Sequence, residues 1–146
     1  MAATKSEISL SASYQLMEQV GFILRRATQR HLTIFSGRIP DLTPTQFAAL
    51  AKLCELRSVS QNELGRQTAM DAATIKGVIE RLCKRGYVTT KPNPNDMRRI
   101  VVTPSESGLK VFEGYVGSAR AITRETLEPL NRSEQSTFLK LLRKIT

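Results

Sequence analysis

Residues 60 to 108 constrain this chain more than any other stretch, because they read as two short helices, a tight turn and a charged β-hairpin in unbroken succession. Ser60-Gln61-Asn62-Glu63 carries a helix opening: a hydroxyl at the N-cap, and a glutamate three positions later placed to return a bond to the cap amide. After the turn Thr68-Ala69-Met70, Asp71-Ala72-Ala73-Thr74 opens a second helix with Asp71 as its cap. Ile75, Val78, Ile79 and Leu82 recur at helical spacing and give that helix one apolar stripe. Gly86 supplies the left-handed residue after its end. Two β-rich runs follow, Tyr87 to Lys91 and Ile100 to Thr103, separated by a Pro- and Asn-rich turn that ends in Arg98-Arg99. A helix pair with a tight turn and a basic hairpin is a shape that fits duplex DNA.

The flanks are helical. From about residue 10 to 36, Met17, Val20, Leu24, Ala27, His31 and Phe35 share one helix face; Gly37 is expected to end that helix, and Pro40 blocks its continuation. Thr43-Pro44-Thr45-Gln46 begins the next helix as a capping box with proline at the first position, and Phe47, Leu50, Leu53 and Cys54 form its stripe. Ser105 caps a long helix with Leu109, Phe112, Val116, Ala119 and Ile122 inward. Pro129 ends it, and Asn131 with Glu134 caps a last helix carrying Phe138, Leu141, Leu142 and Ile145. The expected fold is mainly α with a small β-hairpin wing. A winged helix-turn-helix DNA-binding domain spans 38–104, and long N- and C-terminal helices, 1–37 and 105–146, form a dimerisation region. Those end helices cannot bury their stripes on so small a winged domain, so they are expected to pack with a second chain.

Composition narrows the function. The chain has 146 residues with 40% hydrophobic content, enough for a folded core, and a formal net charge of +9, which favours an anionic polymer as partner. Met1 to Ser9 are polar and small and read as a frayed tail rather than a signal sequence, and no apolar run reaches membrane-spanning length. Cys54 and Cys83 are far apart and form no Cys-x-x-Cys pair, which fits a reduced, cytoplasmic protein. With a single histidine, a zinc site is not expected, and no cofactor motif is present. No nucleophile–base pair or phosphate loop is visible, so the chain is not expected to be an enzyme.

The ordered set of motifs resembles the MarR family of transcriptional regulators over nearly the whole chain. It is carried by Leu42-Thr43-Pro44-Thr45-Gln46-Phe47-Ala48-Ala49-Leu50, Ser60-Gln61-Asn62-Glu63-Leu64-Gly65, Thr74-Ile75-Lys76-Gly77-Val78-Ile79-Glu80-Arg81-Leu82, Arg85-Gly86-Tyr87-Val88, Asp96-Met97-Arg98-Arg99, and Val102-Thr103-Pro104-Ser105-Glu106-Ser107-Gly108. Gly77 departs from the polar residue usual there, and Pro104-Ser105 from the usual Leu-Thr; serine caps as threonine does. The run Gln19-Val20-Gly21-Phe22-Ile23-Leu24-Arg25-Arg26 with Gln29-Arg30-His31 is similar to members that control degradation of aromatic acids, including nicotinate-type pathways.

The resemblance implies a homodimeric, sequence-specific regulator, a repressor, on a pseudo-palindromic operator in double-stranded DNA, released by a small aromatic carboxylate. Ala72, Ala73, Thr74, Lys76 and Gly77 are expected against the major groove; Ala73 or Thr74 fits a thymine methyl and Lys76 a guanine or phosphate. Gln61 and Asn62 are expected near a phosphate, with Lys84 a further phosphate contact. Arg98 and Arg99, at or near the wing tip, suit a narrow minor groove, with Asp96 orienting Arg98 as the family pattern implies. Each of these positions also reads as an ordinary solvated one.

His31 reads either as a satisfied core histidine or as the polar anchor of a ligand pocket with Phe35, Phe47 and Met70. Arg25, Arg26 and Arg30 would favour an anionic ligand there or form a solvated basic face. Cys54 and Cys83 read as structural; the alternative is a thiol-oxidation-responsive DNA-binding sensor using Cys83.

Overall fold

The computed structural model describes residues 12–146, so the opening tail Met1 to Ser9 lies outside the described residues. Six helices and three strands follow in order: α1 (Val20–Arg38), α2 (Pro44–Leu56), β1 (Val59–Ser60), α3 (Gln61–Gln67), α4 (Ala72–Lys84), β2 (Val88–Asn93), β3 (Asp96–Pro104), α5 (Glu106–Leu127) and α6 (Arg132–Lys144). The fold is the expected one: mainly α, with a small antiparallel wing sheet.

Local capping chemistry starts most helices. Thr43 and Gln46 form a reciprocal box at α2, and Asn131 and Glu134 do the same at α6. Asp71 caps α4 and Ser105 caps α5. At α3 only half the expected box forms: the Glu63 amide donates to Ser60 Oγ at 3.2 Å, while the Glu63 carboxylate turns to Arg66 and Gln67. The charge-assisted bonds to the guanidinium are stronger than a return bond to a neutral amide.

Helix α1 differs at both ends from its sequence reading. It starts at Val20, because Gln19 is extended (φ −84°, ψ 133°), and a separate 3-10 turn, Leu16–Glu18, precedes it. The apolar spacing of Met17 and Val20 continues across this break without recording it, and both side chains stay exposed in the single chain. At the other end the helix runs through Gly37 to Arg38. Ile39, fully buried, ends it with its amide on the Phe35 carbonyl at 2.8 Å.

The core lies where α2 meets α3, α4 and the wing. Ala49, Leu50, Leu53 and Cys54 from α2 pack with Leu64, Ile75, Val78, Ile79, Leu82, Val88 and Val102. Each fully buried leucine or isoleucine contributes about 1.5–3 kcal/mol, so the four inward residues of α4 hold that helix against the core. α5 runs from the wing to the far end of α1, with Ala121, Ile122 and Leu127 buried. α6 has no buried residue: Phe138 and Leu141 on its apolar stripe are 41% and 53% exposed, and Ile145 at its C-cap is 66% exposed.

The sheet order is β1-β3-β2, all antiparallel. β1 was not visible in the sequence, since two residues carry no periodicity. The wing turn is also tighter than the expected 92–99 segment. Asn93 pairs with Asp96, which leaves Pro94-Asn95 at the tip, and Pro92 sits in β2 opposite Ile100. An edge strand tolerates proline because the missing amide faces away from the ladder. Arg98 and Arg99 therefore stand within strand β3, back from the turn, rather than at the tip.

Candidate nucleic-acid interface and effector cleft

Helix α4 turns Ile75, Val78, Ile79 and Leu82 inward, which leaves Ala72, Ala73, Thr74, Lys76 and Lys84 exposed and Gly77 half-buried. Its first turn is closed by Asp71, whose carboxylate accepts from the Thr74 amide at 2.7 Å. The Thr74 backbone bond, foremost, holds this carboxyl below the ordinary aspartate range. The side chains along this surface are small or singly basic, so a polymer can approach the helix backbone closely. At Gly77 an added Cβ would meet only an Arg81 guanidinium nitrogen, at 3.6 Å.

The start of α3 and strand β3 form a polar crevice of about 140 Å³, lined by Ser60, Gln61, Asn62, Arg66, Arg98, Arg99 and Ile100. Gln61 and Asn62 are thus brought together with Arg98 and Arg99 from the wing. The pairing of β1 with β3, Ser60 opposite Val101, makes the junction. Arg66 is a cation that sequence reading missed; its signal was its place one helical turn beyond Glu63 on the exposed side of α3. Asp96 makes two contacts in the wing. One carboxylate oxygen accepts from the Arg98 backbone amide at 3.1 Å, and the other lies 3.6 Å from Arg99 Nε. The carboxylate therefore shapes the backbone under Arg98 and pairs with the side chain of Arg99. The Arg98 guanidinium has no bond among the described residues, and it projects from an exposed strand.

A second, mostly apolar cleft lies between α1, α5 and α6. It has a volume of about 310 Å³, with Leu24, Ala27, Leu127, Phe138, Leu139 and Leu142 as its apolar wall. Thr28, His31, Thr123 and Thr126 are its polar groups, and His31 Nδ1 lies 2.9 Å from Thr126 Oγ1. A few placed polar groups in an apolar wall is the composition of small-molecule sites. The structure does not bring the expected pocket residues into this cleft together. Phe35 points the other way, edge-on to Phe47 at 6.1 Å, and Phe47 packs on Phe112 at 6.0 Å. Met70 packs against the same core. His31 and Phe35 share a helix face in sequence, yet one side chain meets the end of α5 and the other meets α2.

Of the three arginines near His31, Arg30 spends its guanidinium on the last carbonyls of α5, donating to Thr126 O at 2.7 Å and Glu125 O at 2.8 Å. The Glu125 carbonyl also accepts from the Glu128 amide at 3.3 Å, and Arg30 adds a side-chain cap to this C-terminal turn. Arg25 and Arg26 are exposed. Arg38 pairs with Glu125, and its bond holds that carboxyl below the usual range.

Both cysteines are free thiols. Burial pushes the Cys54 thiol up. Cys83 is half-buried, and burial raises its thiol too, against a bond with Thr90 that lowers it. Reactive sensor thiols sit in settings that favour the thiolate, and neither position is one. No described helix is long and apolar enough to cross a membrane, and no cluster of metal-ligating side chains occurs among the described residues.

A capped helix with an open polar face, docked beside a basic wing, defines the winged-helix class of DNA-binding proteins. Residues 42–100 match the profile of the MarR family. The HTH-type transcriptional repressor NicR of Pseudomonas putida is 41% identical over 134 residues, covering 90% of this chain and 85% of that protein. A crystal structure of a probable transcriptional regulator from Pseudomonas aeruginosa superposes with a TM-score of 0.88 at 48% identity, covering 90% of this chain and all of that one. Bordetella bronchiseptica BpsR, solved to explain regulation of its DNA binding by 6-hydroxynicotinic acid, gives a TM-score of 0.87 at 40% identity, over 90% of this chain and 96% of its own. The chain belongs to the MarR family. It is a transcriptional regulator that acts by binding DNA and not by catalysing a reaction.

Proposed function

We propose that this chain is a cytoplasmic, homodimeric repressor of a pseudo-palindromic operator, released by a small aromatic carboxylate. Two copies of α4, related by a two-fold axis, would enter successive major grooves about 34 Å apart. Ala72, Ala73, Thr74, Lys76 and Gly77 face the bases. Lys84, Gln61, Asn62 and Arg66 face phosphates, and Arg98 and Arg99 reach the minor groove, with Asp96 bracing the strand beneath them. The observation that carries this reading is the convergence of Gln61, Asn62, Arg66, Arg98 and Arg99 on one crevice, together with the exposed face of α4, which packs on α3.

The effector site of this reading is the cleft at His31. Its size suits a single aromatic ring, and its histidine and threonine hydroxyls suit a carboxylate or ring hydroxyl. BpsR, whose DNA binding is regulated by 6-hydroxynicotinic acid, supports this ligand class. Phe35, Phe47 and Met70 enter as the packed layer that a movement of α1 would press on. A ligand that prefers a conformation with the wrong spacing of the two α4 helices releases DNA by population shift. It also stabilises the fold by mass action, by about 2.7 kcal/mol at a hundredfold excess over its dissociation constant.

A mobility shift on the DNA upstream of the gene, with and without 6-hydroxynicotinic acid, tests both halves. A specific complex that the acid dissolves is expected. Absence of any specific complex at moderate salt overturns the DNA reading. An acid-insensitive complex, or an acid response that His31→Ala leaves unchanged, overturns the effector assignment alone.

A further inference from the structure

The three residues that join α4 to the wing, Arg85, Gly86 and Tyr87, are held from several sides. Ser105 Oγ donates to the Gly86 carbonyl at 2.5 Å, and the Ser105 amide donates to the Tyr87 carbonyl at 2.9 Å. Gly108 lies directly beneath Tyr87, where a Cβ would stand 2.9 Å from the Tyr87 carbonyl carbon. These holds all come from the first turn of α5. Another comes from farther along. Tyr115, about three turns up α5 from its cap, donates its hydroxyl to Asp41 Oδ2 at 2.6 Å. The backbone carbonyl of the same Asp41 accepts from the Arg85 guanidinium, which lies over the Tyr87 ring at 5.0 Å. Asp41 sits in the loop between α1 and α2, so one residue ties the end of α1, the middle of α5 and the end of the recognition helix.

Burial does not account for this arrangement. Asp41 and Arg85 are exposed, and a half-buried tyrosine could turn its hydroxyl to water. Instead it makes a short bond to a carboxylate, of the stronger charge-assisted kind. That bond also pushes the Tyr115 phenol above its usual value, so the hydroxyl keeps its proton and remains a donor.

We propose that Tyr115, Asp41 and Arg85 form a positioning latch through which α5 sets the angle of α4, and that this latch governs discrimination between operator and other DNA. The proposal rests on the reading of α4 as the groove-reading helix. Geometry supplies the reason. The 13 residues of α4 span about 20 Å, so a swing of about 5° at its latched end carries its first turn by about 1.7 Å. Base-edge hydrogen bonds fail over that distance, whereas attraction to phosphates barely changes. The latch therefore acts on specific binding and leaves general DNA affinity alone.

The test titrates the upstream duplex and a random-sequence duplex of equal length against wild type, Tyr115→Phe, Asp41→Ala, Asp41→Asn and the Tyr115→Phe/Asp41→Ala double variant. Tyr115→Phe and Asp41→Ala are each expected to weaken binding to the upstream duplex about tenfold and to leave the random duplex within about twofold. Asp41→Asn keeps an oxygen that accepts from Tyr115 and should bind close to wild type. The double variant should lose no more than either single one, because both cut the same bond. Wild-type affinity in Tyr115→Phe and Asp41→Ala, equal losses on both duplexes, or an Asp41→Asn loss as large as that of Asp41→Ala overturns the latch. If phenylalanine at 115 disturbs the fold, the Asp41 pair on its exposed loop decides alone. A wild-type protein that does not distinguish the two duplexes overturns the underlying DNA reading instead.

Discussion

Gly77→Ala separates stability from function at a single atom. Gly77 lies in the interior of α4, where glycine costs about 1 kcal/mol relative to alanine because the unfolded chain loses more freedom. The added methyl has room: its nearest neighbour is the flexible end of Arg81, at 3.6 Å, an ordinary van der Waals contact. Nothing among the described residues opposes the gain, so the variant should be about 0.5–1 kcal/mol more stable, a rise of about 1–4 °C in melting temperature. On DNA the sign reverses. If the backbone of α4 approaches the base edges at Gly77, a methyl there must push the helix outward, and base contacts each worth about 1–3 kcal/mol are lost or lengthened.

Urea denaturation and DNA titration of the same preparation therefore give opposite results: a higher midpoint, and an operator affinity at least about tenfold lower. A more stable protein that binds the operator as tightly as wild type would refute the reasoning, because the half-buried face at Gly77 would then not be the one against DNA. A less stable protein would refute the other half, since it would mean that the space beside Gly77 is not free.

Gly108→Ala should destabilise by about 1–3 kcal/mol or more in urea, because its Cβ overlaps the Tyr87 carbonyl and only backbone movement relieves the clash; a cost no larger than that of an exposed glycine would contradict the packing. Arg98→Ala should cost about 1–3 kcal/mol on operator DNA, whereas Lys84→Ala should weaken all sequences alike and reduce the salt slope by about one unit. Indistinguishable behaviour of the two variants on specific and random duplexes would remove the division between groove and backbone contacts. Asp71 has a lowered pKa, so its stabilising effect is complete above the ordinary value of 3.8 and is lost as pH falls through the lower native value. Asp71→Asn should flatten that acid limb in pH-dependent melts, and an unchanged limb would show that the cap does not titrate.

The parts of this fold that were legible in the sequence are those written in local chemistry. Thr43, Asp71, Ser105 and Asn131 each announce a helix start, because an N-cap needs only an oxygen and the amides two or three residues on. The break at Gln19 was not legible. Apolar spacing reports a face, and Met17 and Val20 keep the spacing although both stay exposed among the described residues. The wing turn was misplaced because Pro92 counts as a turn residue until its edge position is known. The candidate cleft shows the same limit more sharply. His31 and Phe35 lie one helical turn apart and belong to one stripe, but what each side chain meets depends on where α5 ends and where α2 begins. Asp41 carried no signal at all, since its partners Tyr115 and Arg85 are distant in sequence.

Helix α6 carries apolar residues both in the cleft and on its open side, and on the proposed function that sharing is what makes release possible. Leu24, Phe138 and Leu142 line the cleft at His31, while Leu141 and Ile145 extend the same end of the molecule outward and uncovered. A second copy that covers α6 must therefore seat against the helices that wall the cleft. On that reading, a ring entering between Leu24, Leu127 and Phe138 would change the separation of α1, α5 and α6, and with it the offset of one copy from the other. The same α5 reaches back to the joint at the end of α4 through Ser105 and Tyr115. A rigid helix fixed at both ends passes a displacement along its length rather than absorbing it. A shift of the second copy by a fraction of a helical turn is enough to misplace one α4 in its groove when the other is seated, because the half-site separation is fixed by DNA and not by the protein.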